Sequence, residues 1–141
     1  MSAPPRKLVI AIDGPAGSGK TSLACAVLKA RYILTGKFFQ FAPASVIAMA
    51  RSRHKLGAGD PQEIVDALTA EVLLIDDLGF EKPGPTSVGD VETVIYERHL
   101  HARPTWVTTW MRSDKARERY GDGIARRLFE GATIIDCGAS K

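Results

Sequence analysis

Apolar residues fall along the chain in two kinds of run. KLVIAID (7–13), EVLLIDD (71–77), PTWVTTW (104–110) and TIIDCG (133–138) are short and apolar almost throughout. That is the pattern of strands buried on both faces of a parallel sheet. GKFFQFAPA (36–44) offers a further short strand. Between these stretches the period changes to that of a helix. KTSLACAVLKARYIL (20–34) places Leu23, Ala26, Val27 and Ala30 where they can share one face. PASVIAMARSRHKL (43–56), PQEIVDALTA (61–70) and VETVIYERHLH (91–101) read as further helices. SDKARERYGDGIARRLFEGA (113–132) reads as helical in two pieces around Gly121 and Gly123. Strands alternating with helices predict an α/β fold, with a parallel sheet of about five strands covered by helices on both faces.

The chain has 141 residues, 45% of them hydrophobic, which suits one buried core and not two. Residues 1–6, with Pro4 and Pro5, are expected to be a disordered lead-in, and 7–141 a single domain. No repeat or long linker divides the chain, and the last strand is expected to close the series with nothing left for a second domain. GFEKPGPTSVGD (79–90) is the most loop-like internal stretch.

A formal charge of +3 permits contact with nucleic acid without requiring it. The basic residues cluster at RSRHK (51–55) and across 112–127, so these are the candidate DNA-facing patches. Cys25 and Cys137 are expected to be free, buried thiols in a reducing compartment. No apolar run reaches the length of a membrane span and no secretory cleavage pattern follows the N-terminus, so the expected setting is cytoplasmic, with no membrane contact.

The chemistry begins after the first strand. Gly14, Pro15, Ala16, Gly17, Ser18, Gly19, Lys20 and Thr21 fit G-x-x-x-x-G-K-[ST] between a predicted strand and a predicted helix. Gly17 and Gly19 let successive N–H groups turn inward at the positive end of the helix, a cradle for phosphates. Lys20 reaches the β- and γ-phosphates of ATP, and Thr21 offers its hydroxyl to a magnesium ion. Asp13 is expected to make a structural hydrogen bond to the loop.

Asp76 ends another central strand, on the edge where open α/β sheets bind ligands. Its expected role is to hold the magnesium through water, while Asp77 orients or deprotonates the attacking water. An aspartate at the second position is one methylene shorter than glutamate, so either the water sits closer or hydrolysis is slow.

Taken alone, IAIDGPAGSGKT also resembles the opening of small nucleoside monophosphate kinases. VLLIDDLG, YERHLHARPTWVTTW and ERYGDGIARRLFEGATIIDCG resemble, in that order, the AAA+ core of the DnaC/IstB group of helicase loaders and transposase helper ATPases. The resemblance covers residues 7–138 and implies a P-loop NTPase with an AAA+ core; the C-terminal lid is expected to be missing, a departure from the family. It makes Gly14 to Thr21 the Walker A motif and Asp76 with Asp77 the Walker B motif. A Thr-Thr-Asn motif of the family falls on Thr108, Thr109 and Trp110, so an indole stands where a polar sensor is usual. A Tyr-Gly-x-Arg-Ile-x-x-Arg-Leu segment falls on Tyr120 to Leu128, with Gly123 at the first arginine and Arg127 at the second. The resemblance implies Arg127, or Arg126 beside it, as an arginine finger reaching a neighbour's nucleotide. Arg98 also falls on a family arginine and is expected at a surface or inter-subunit salt bridge.

Three functional classes follow. The first is an ATP-dependent assembly factor of the helicase-loader or transposase-helper kind, oligomeric with ATP bound, whose partner is a replicative helicase or transposase, with single-stranded or duplex DNA. The second is a nucleotide-dependent protein-binding scaffold with little turnover, favoured by Trp110 and Gly123. The third is a nucleoside monophosphate kinase.

Overall fold

The computed structural model describes residues 9–53, 57, 59–82 and 89–137. The expected lead-in at 1–6 lies outside these residues.

Five strands form one sheet. They are β1 (Val9–Asp13), β2 (Gln40–Pro43), β3 (Leu73–Leu78), β4 (Thr105–Thr109) and β5 (Thr133–Asp136), in the order β2-β3-β4-β1-β5 with every pairing parallel. The expected strand count and direction therefore hold. Parallel neighbours need crossovers, and these are the helices α1 (Lys20–Thr35), α2 (Ala44–Met49), α3 (Gln62–Thr69), α4 (Asp90–Leu100), α5 (Ser113–Tyr120) and α6 (Asp122–Ala125). The helix expected over 43–56 is shorter than its pattern: α2 gives way to a 3-10 turn at Arg51–Arg53. Gly121, at φ 91°, separates α5 from α6, and α6 runs on into a π-helical turn, Arg126–Glu130.

Strand parity divides the core in two. One sheet face presents Ala11, Ala42, Leu73, Ile75 and Val107, packed beneath Ile47, Ala67, Val91, Val94, Ile95, Ile124 and Leu128 of the helices. The opposite face presents Ile12 and Leu74, covered by Ala24 and Leu28 of α1. Leu28 and Ile12 are fully buried. Each contributes about 2 kcal/mol of hydrophobic stabilisation.

The face that α1 turns to the sheet is thus Ala24 and Leu28. Leu23, Ala26, Val27 and Ala30, which the periodicity grouped, do share a face, but it is the outward one. Cys25 and Cys137 are free thiols, half-buried against the α1 side of the sheet and not fully enclosed as expected.

Arg98 of α4 departs from its expected surface or inter-subunit salt bridge. It is fully buried, and its guanidinium donates to the carbonyls of Ala67 (3.0 Å), Ala70 (2.6 Å) and Pro104 (2.7 Å) and to Thr105 Oγ1 (2.9 Å). Burial, and then the Arg103 charge, pull its pKa down to about 10. The guanidinium fastens the end of α3 to the start of β4 with carbonyl oxygens in place of a carboxylate. That geometry suits its fixed fork of donors.

Candidate functional site

The carboxyl ends of β3, β4 and β1 lie side by side, with Asp13 in register with Thr109 and, on the other side, with Asp136. The phosphate loop leaves this edge between β1 and α1. Its Gly14 N–H donates to Thr109 O at 3.1 Å and Ser18 N–H to Pro15 O at 3.2 Å, which curls the chain over the strand ends. Gly17 and Gly19 have φ of 81° and 85°, values that strain any residue with a side chain. Gly19 caps α1, so the helix's unpaired N–H groups face the space above the loop.

Lys20 and Thr21 open α1. Lys20 is buried and donates Nζ to Pro15 O at 2.8 Å, which holds its ammonium across the loop. Thr21 Oγ1 donates to Asp76 Oδ1 at 2.8 Å, joining the two motifs that lie 55 residues apart in sequence. Thr108 Oγ1 donates to the same oxygen at 2.6 Å and accepts the Asp77 N–H at 2.9 Å. A cavity of about 340 Å³ opens above, lined by Ala16, Gly17, Gly19, Lys20, Thr21, Ser22, Asp77 and Phe80.

The two aspartates differ because β3 is irregular between them. Ile75 pairs with Val107 and Leu78 with Thr109, so two residues of β3 stand opposite Thr108 alone. This bulge re-aims a side chain at the sheet rim. Asp76 is buried in the hydrogen-bond cluster, while Asp77, at φ 55°, projects into the cavity. Burial, and then the neighbouring Asp76 charge, raise the Asp77 carboxyl above its ordinary range, with Lys20 opposing them.

Asp13 makes a different contact from the one expected. Its carboxyl is buried, Oδ1 has no hydrogen-bond partner, and its own backbone N–H, not the loop, supplies a bond. Burial and the Asp136 charge raise its pKa; Arg112, that N–H and Lys20 oppose the rise.

Trp110 follows β4 and stands over the segment that leaves β3, edge-on to Phe80 with ring centroids 6.4 Å apart. A Cβ at Gly79 (φ 100°) would come within 2.6 Å of Trp110 Nε1, so only glycine lets the indole settle there. Beyond Gly79, the buried Glu81 accepts from Gly79 N–H at 2.7 Å and from the Tyr120 hydroxyl, and Arg119 donates to its carbonyl. This cluster ties the post-β3 segment to α5. Burial, then Glu81, push the Tyr120 hydroxyl's pKa upward.

Arg127 does not line the cavity. Its guanidinium stacks on Tyr96 of α4, 4.7 Å from the ring centroid, and donates to Gly123 O at 2.8 Å. A Cβ on Gly123 would lie 3.3 Å from Arg127 Nη1, so glycine at that position leaves room for the fold-back. Arg126 is exposed and pairs with Asp122. The basic cluster over 112–127 is internally matched: Arg112 pairs with Asp136, Lys115 with Glu118, Arg117 with Asp122 and Arg119 with Glu81. Arg51 of the other cluster bridges Asp60 and Asp90.

Thr108 and Phe80 are the site residues whose roles the sequence did not disclose. Thr108 sat within a recognised motif, and its hydroxyl beside two carboxylates was the available signal. Phe80 directly follows Gly79 in a stretch read as loop.

No helix of the described residues is long and apolar enough to cross a membrane. No protein-family model matches the sequence, and no curated protein matches it. Solved structures do match. The DnaC helicase loader superposes with a TM-score of 0.78 at 24% identity, over 91% of this chain and 77% of the loader. DnaI gives 0.74 at 16% identity over 99% and 75% of the two chains. AMPPCP-bound DnaA from Aquifex aeolicus gives 0.71 at 19% identity, over 92% of this chain and 40% of DnaA. The phosphate loop, the bulged acidic strand end and this likeness agree: the chain has a P-loop α/β fold shared with the DnaC helicase loader, DnaI and DnaA.

Proposed function

We propose that this chain binds ATP with magnesium and hydrolyses it, and that it acts as an assembly factor on DNA-processing machinery in the manner of a helicase loader. The observation that carries the reading is the Thr21–Asp76–Thr108 cluster beneath the phosphate loop. Two hydroxyls converge there on one carboxylate oxygen, beside the Lys20 ammonium and the N-terminal end of α1.

The donor set fits the ligand. No group of three or more His, Cys, Asp or Glu that could hold a metal is present among the described residues. A magnesium ion here would therefore take Thr21 and Asp76 from the protein and its other ligands from phosphate and water, its common arrangement. When bound it would neutralise phosphate charge. Lys20 would leave Pro15 O for the β- and γ-phosphates, and Ser18, whose Oγ is buried without a partner, has a donor to spare. Asp77 faces the same space with a raised pKa, which makes it a better proton acceptor from water. Thr108 holds both aspartates in place.

Arg127 is proposed as the finger supplied to a neighbouring subunit, with oligomers forming when ATP is bound. To act so it must leave Tyr96. Because the basic residues of 112–127 have intramolecular partners, the reading puts its weight on a protein partner, a replicative helicase or a transposase, ahead of DNA. One observation favours a scaffold with little turnover: Trp110 offers no polar acceptor at the sensor position, and packs on Gly79 and Phe80.

The test pairs ATP titration with phosphate release. Lys20→Ala should lose ATP affinity at least tenfold; unchanged affinity would show that the site is misassigned. Arg127→Ala should bind ATP normally and hydrolyse it poorly, and mixing it with Lys20→Ala should restore activity if the finger acts in trans. Wild-type binding without phosphate release above buffer would select the scaffold.

A further inference from the structure

One wall of the nucleotide cavity is the short segment that leaves β3. Phe80 is the largest apolar side chain lining the cavity, and it shares that wall with Asp77. The ring is 54% exposed, so burial does little to fix its place and the backbone around it must do so. That backbone is bent twice. Asp77 (φ 55°) and Gly79 (φ 100°) are both left-handed, which for Asp77 costs free energy that its surroundings must offset. Phe80 N–H donates to Asp77 O at 3.1 Å, closing one turn, and Gly79 N–H donates to Glu81 Oε1 at 2.7 Å, closing a second around Phe80. The strand itself reaches only to Leu78. Past that point the anchor is Glu81.

Glu81 is buried, and its other contacts run to α5. Its second carboxylate oxygen accepts from the Tyr120 hydroxyl, its carbonyl accepts from Arg119, and Arg119 Nε lies 3.8 Å from Oε2. The Tyr120 hydroxyl, with its pKa pushed upward, stays a donor at neutral pH. A buried charge adds little stability beyond what a well-packed apolar side chain of similar size gives, so the carboxylate is explained by what it holds. One oxygen holds the cavity wall and the other holds the last turn of α5.

We propose that Glu81 is a positioning residue of the nucleotide site: anchored on α5, it holds Phe80 in the cavity wall and keeps the Asp77 turn closed. Its use in hydrolysis rests on the reading given above. There the ring covers Asp77 against bulk water, in keeping with desolvation as the first cause of that carboxyl's raised pKa. Glu81 does not itself line the cavity, so its loss should act on turnover more than on binding.

Phosphate release and ATP titration of the full chain test it, with Trp110 emission as a third readout in a Trp106→Phe background. Tyr120→Phe removes only the α5 anchor, and Glu81→Ala removes both bonds. Each should lower kcat, Glu81→Ala by about tenfold, while KM and the number of ATP sites per chain stay unchanged. Glu81→Gln, which keeps an acceptor oxygen for Gly79 N–H, should recover part of the loss. Added to Phe80→Ala, Glu81→Ala should cost little more, because the two residues act through one wall. Without nucleotide, acrylamide should quench Trp110 more strongly in both Tyr120→Phe and Glu81→Ala, since the ring that stands edge-on to the indole is released. Wild-type kcat and wild-type quenching in both variants overturn the proposal. So does a loss of ATP sites in proportion to kcat, which is what a merely structural role would give. A wild type that binds ATP and releases no phosphate would overturn hydrolysis and leave quenching to decide: stronger quenching in both variants supports the hold on the wall, and unchanged quenching overturns it.

Discussion

Thr108→Val keeps the shape of the side chain and removes its hydroxyl. The hydroxyl is fully buried, donates to Asp76 Oδ1 at 2.6 Å and accepts the Asp77 N–H at 2.9 Å. A hydrogen bond to a charged group is worth about 2 kcal/mol, and a buried N–H left without a partner costs about 1 kcal/mol or more. Asp76 keeps its Thr21 donor, so the expected loss of unfolding free energy is about 3 kcal/mol and not larger. Urea unfolding followed by tryptophan fluorescence measures it, and Thr108→Ser, which retains the hydroxyl, should recover most of the loss. Hydrolysis supplies the second readout. The same N–H bond fixes the bulge that aims Asp77, so the rate should fall at least tenfold, with ATP affinity changed by less. A Thr108→Val protein within 1 kcal/mol of the wild type, with an unchanged hydrolysis rate, would refute the assignment, for it would mean that neither aspartate depends on this hydroxyl.

Arg98→Met should destabilise the chain by about 4 kcal/mol, because it strands several buried carbonyls at once; a shift in urea midpoint equivalent to less than 1.5 kcal/mol would argue against the hub. Asp13→Asn should raise the melting temperature at neutral pH, since the folded-state pKa of Asp13 lies above its ordinary value of 3.8 and its ionised form opposes folding. That gain should shrink as pH falls through the raised pKa and be absent below 3.8, where the carboxyl is protonated in both states; melts across pH 3–8 read it, and a gain independent of pH would contradict the cause given. Asp77→Asn should slow phosphate release at least tenfold and leave ATP affinity within a few fold; equal losses of both would place Asp77 among the metal ligands.

What could be read from sequence was what is local. The phosphate loop needs glycines, a lysine and a threonine within eight positions, and its flanking strand and helix are set by short-range periodicity, so loop, strand and helix were all legible. The side of α1 that meets the sheet was not. With Ala24 and Leu28 on one side and Leu23, Val27 and Leu34 on the other, both faces satisfy the same 3.6-residue pattern. Arg98 was misplaced because a buried guanidinium served by carbonyl oxygens leaves no acidic partner in the sequence. The Glu81–Tyr120 bond joins residues 39 apart, across an intervening strand and helix. The direction of Asp77 depends on one surplus residue in β3, which strict alternation does not anticipate.

That surplus residue acts as a phase shift. A strand sends alternate side chains to opposite sides, so an uninterrupted β3 would carry Asp77 to the same side as Leu73 and Ile75, into the apolar layer under α4, and would turn Leu78 toward the nucleotide edge. With the bulge, Leu78 rejoins Leu73 and Ile75 in that layer, and no carboxylate enters it. Trimming one residue from the Asp-Asp pair would therefore restore strict alternation with Leu78 still opposite Thr109 and still in that layer, so Gly79 and Phe80 would stay in step and the loss would fall on the carboxylate that faces the cavity. For this strand, length is as much a part of the chemistry as composition.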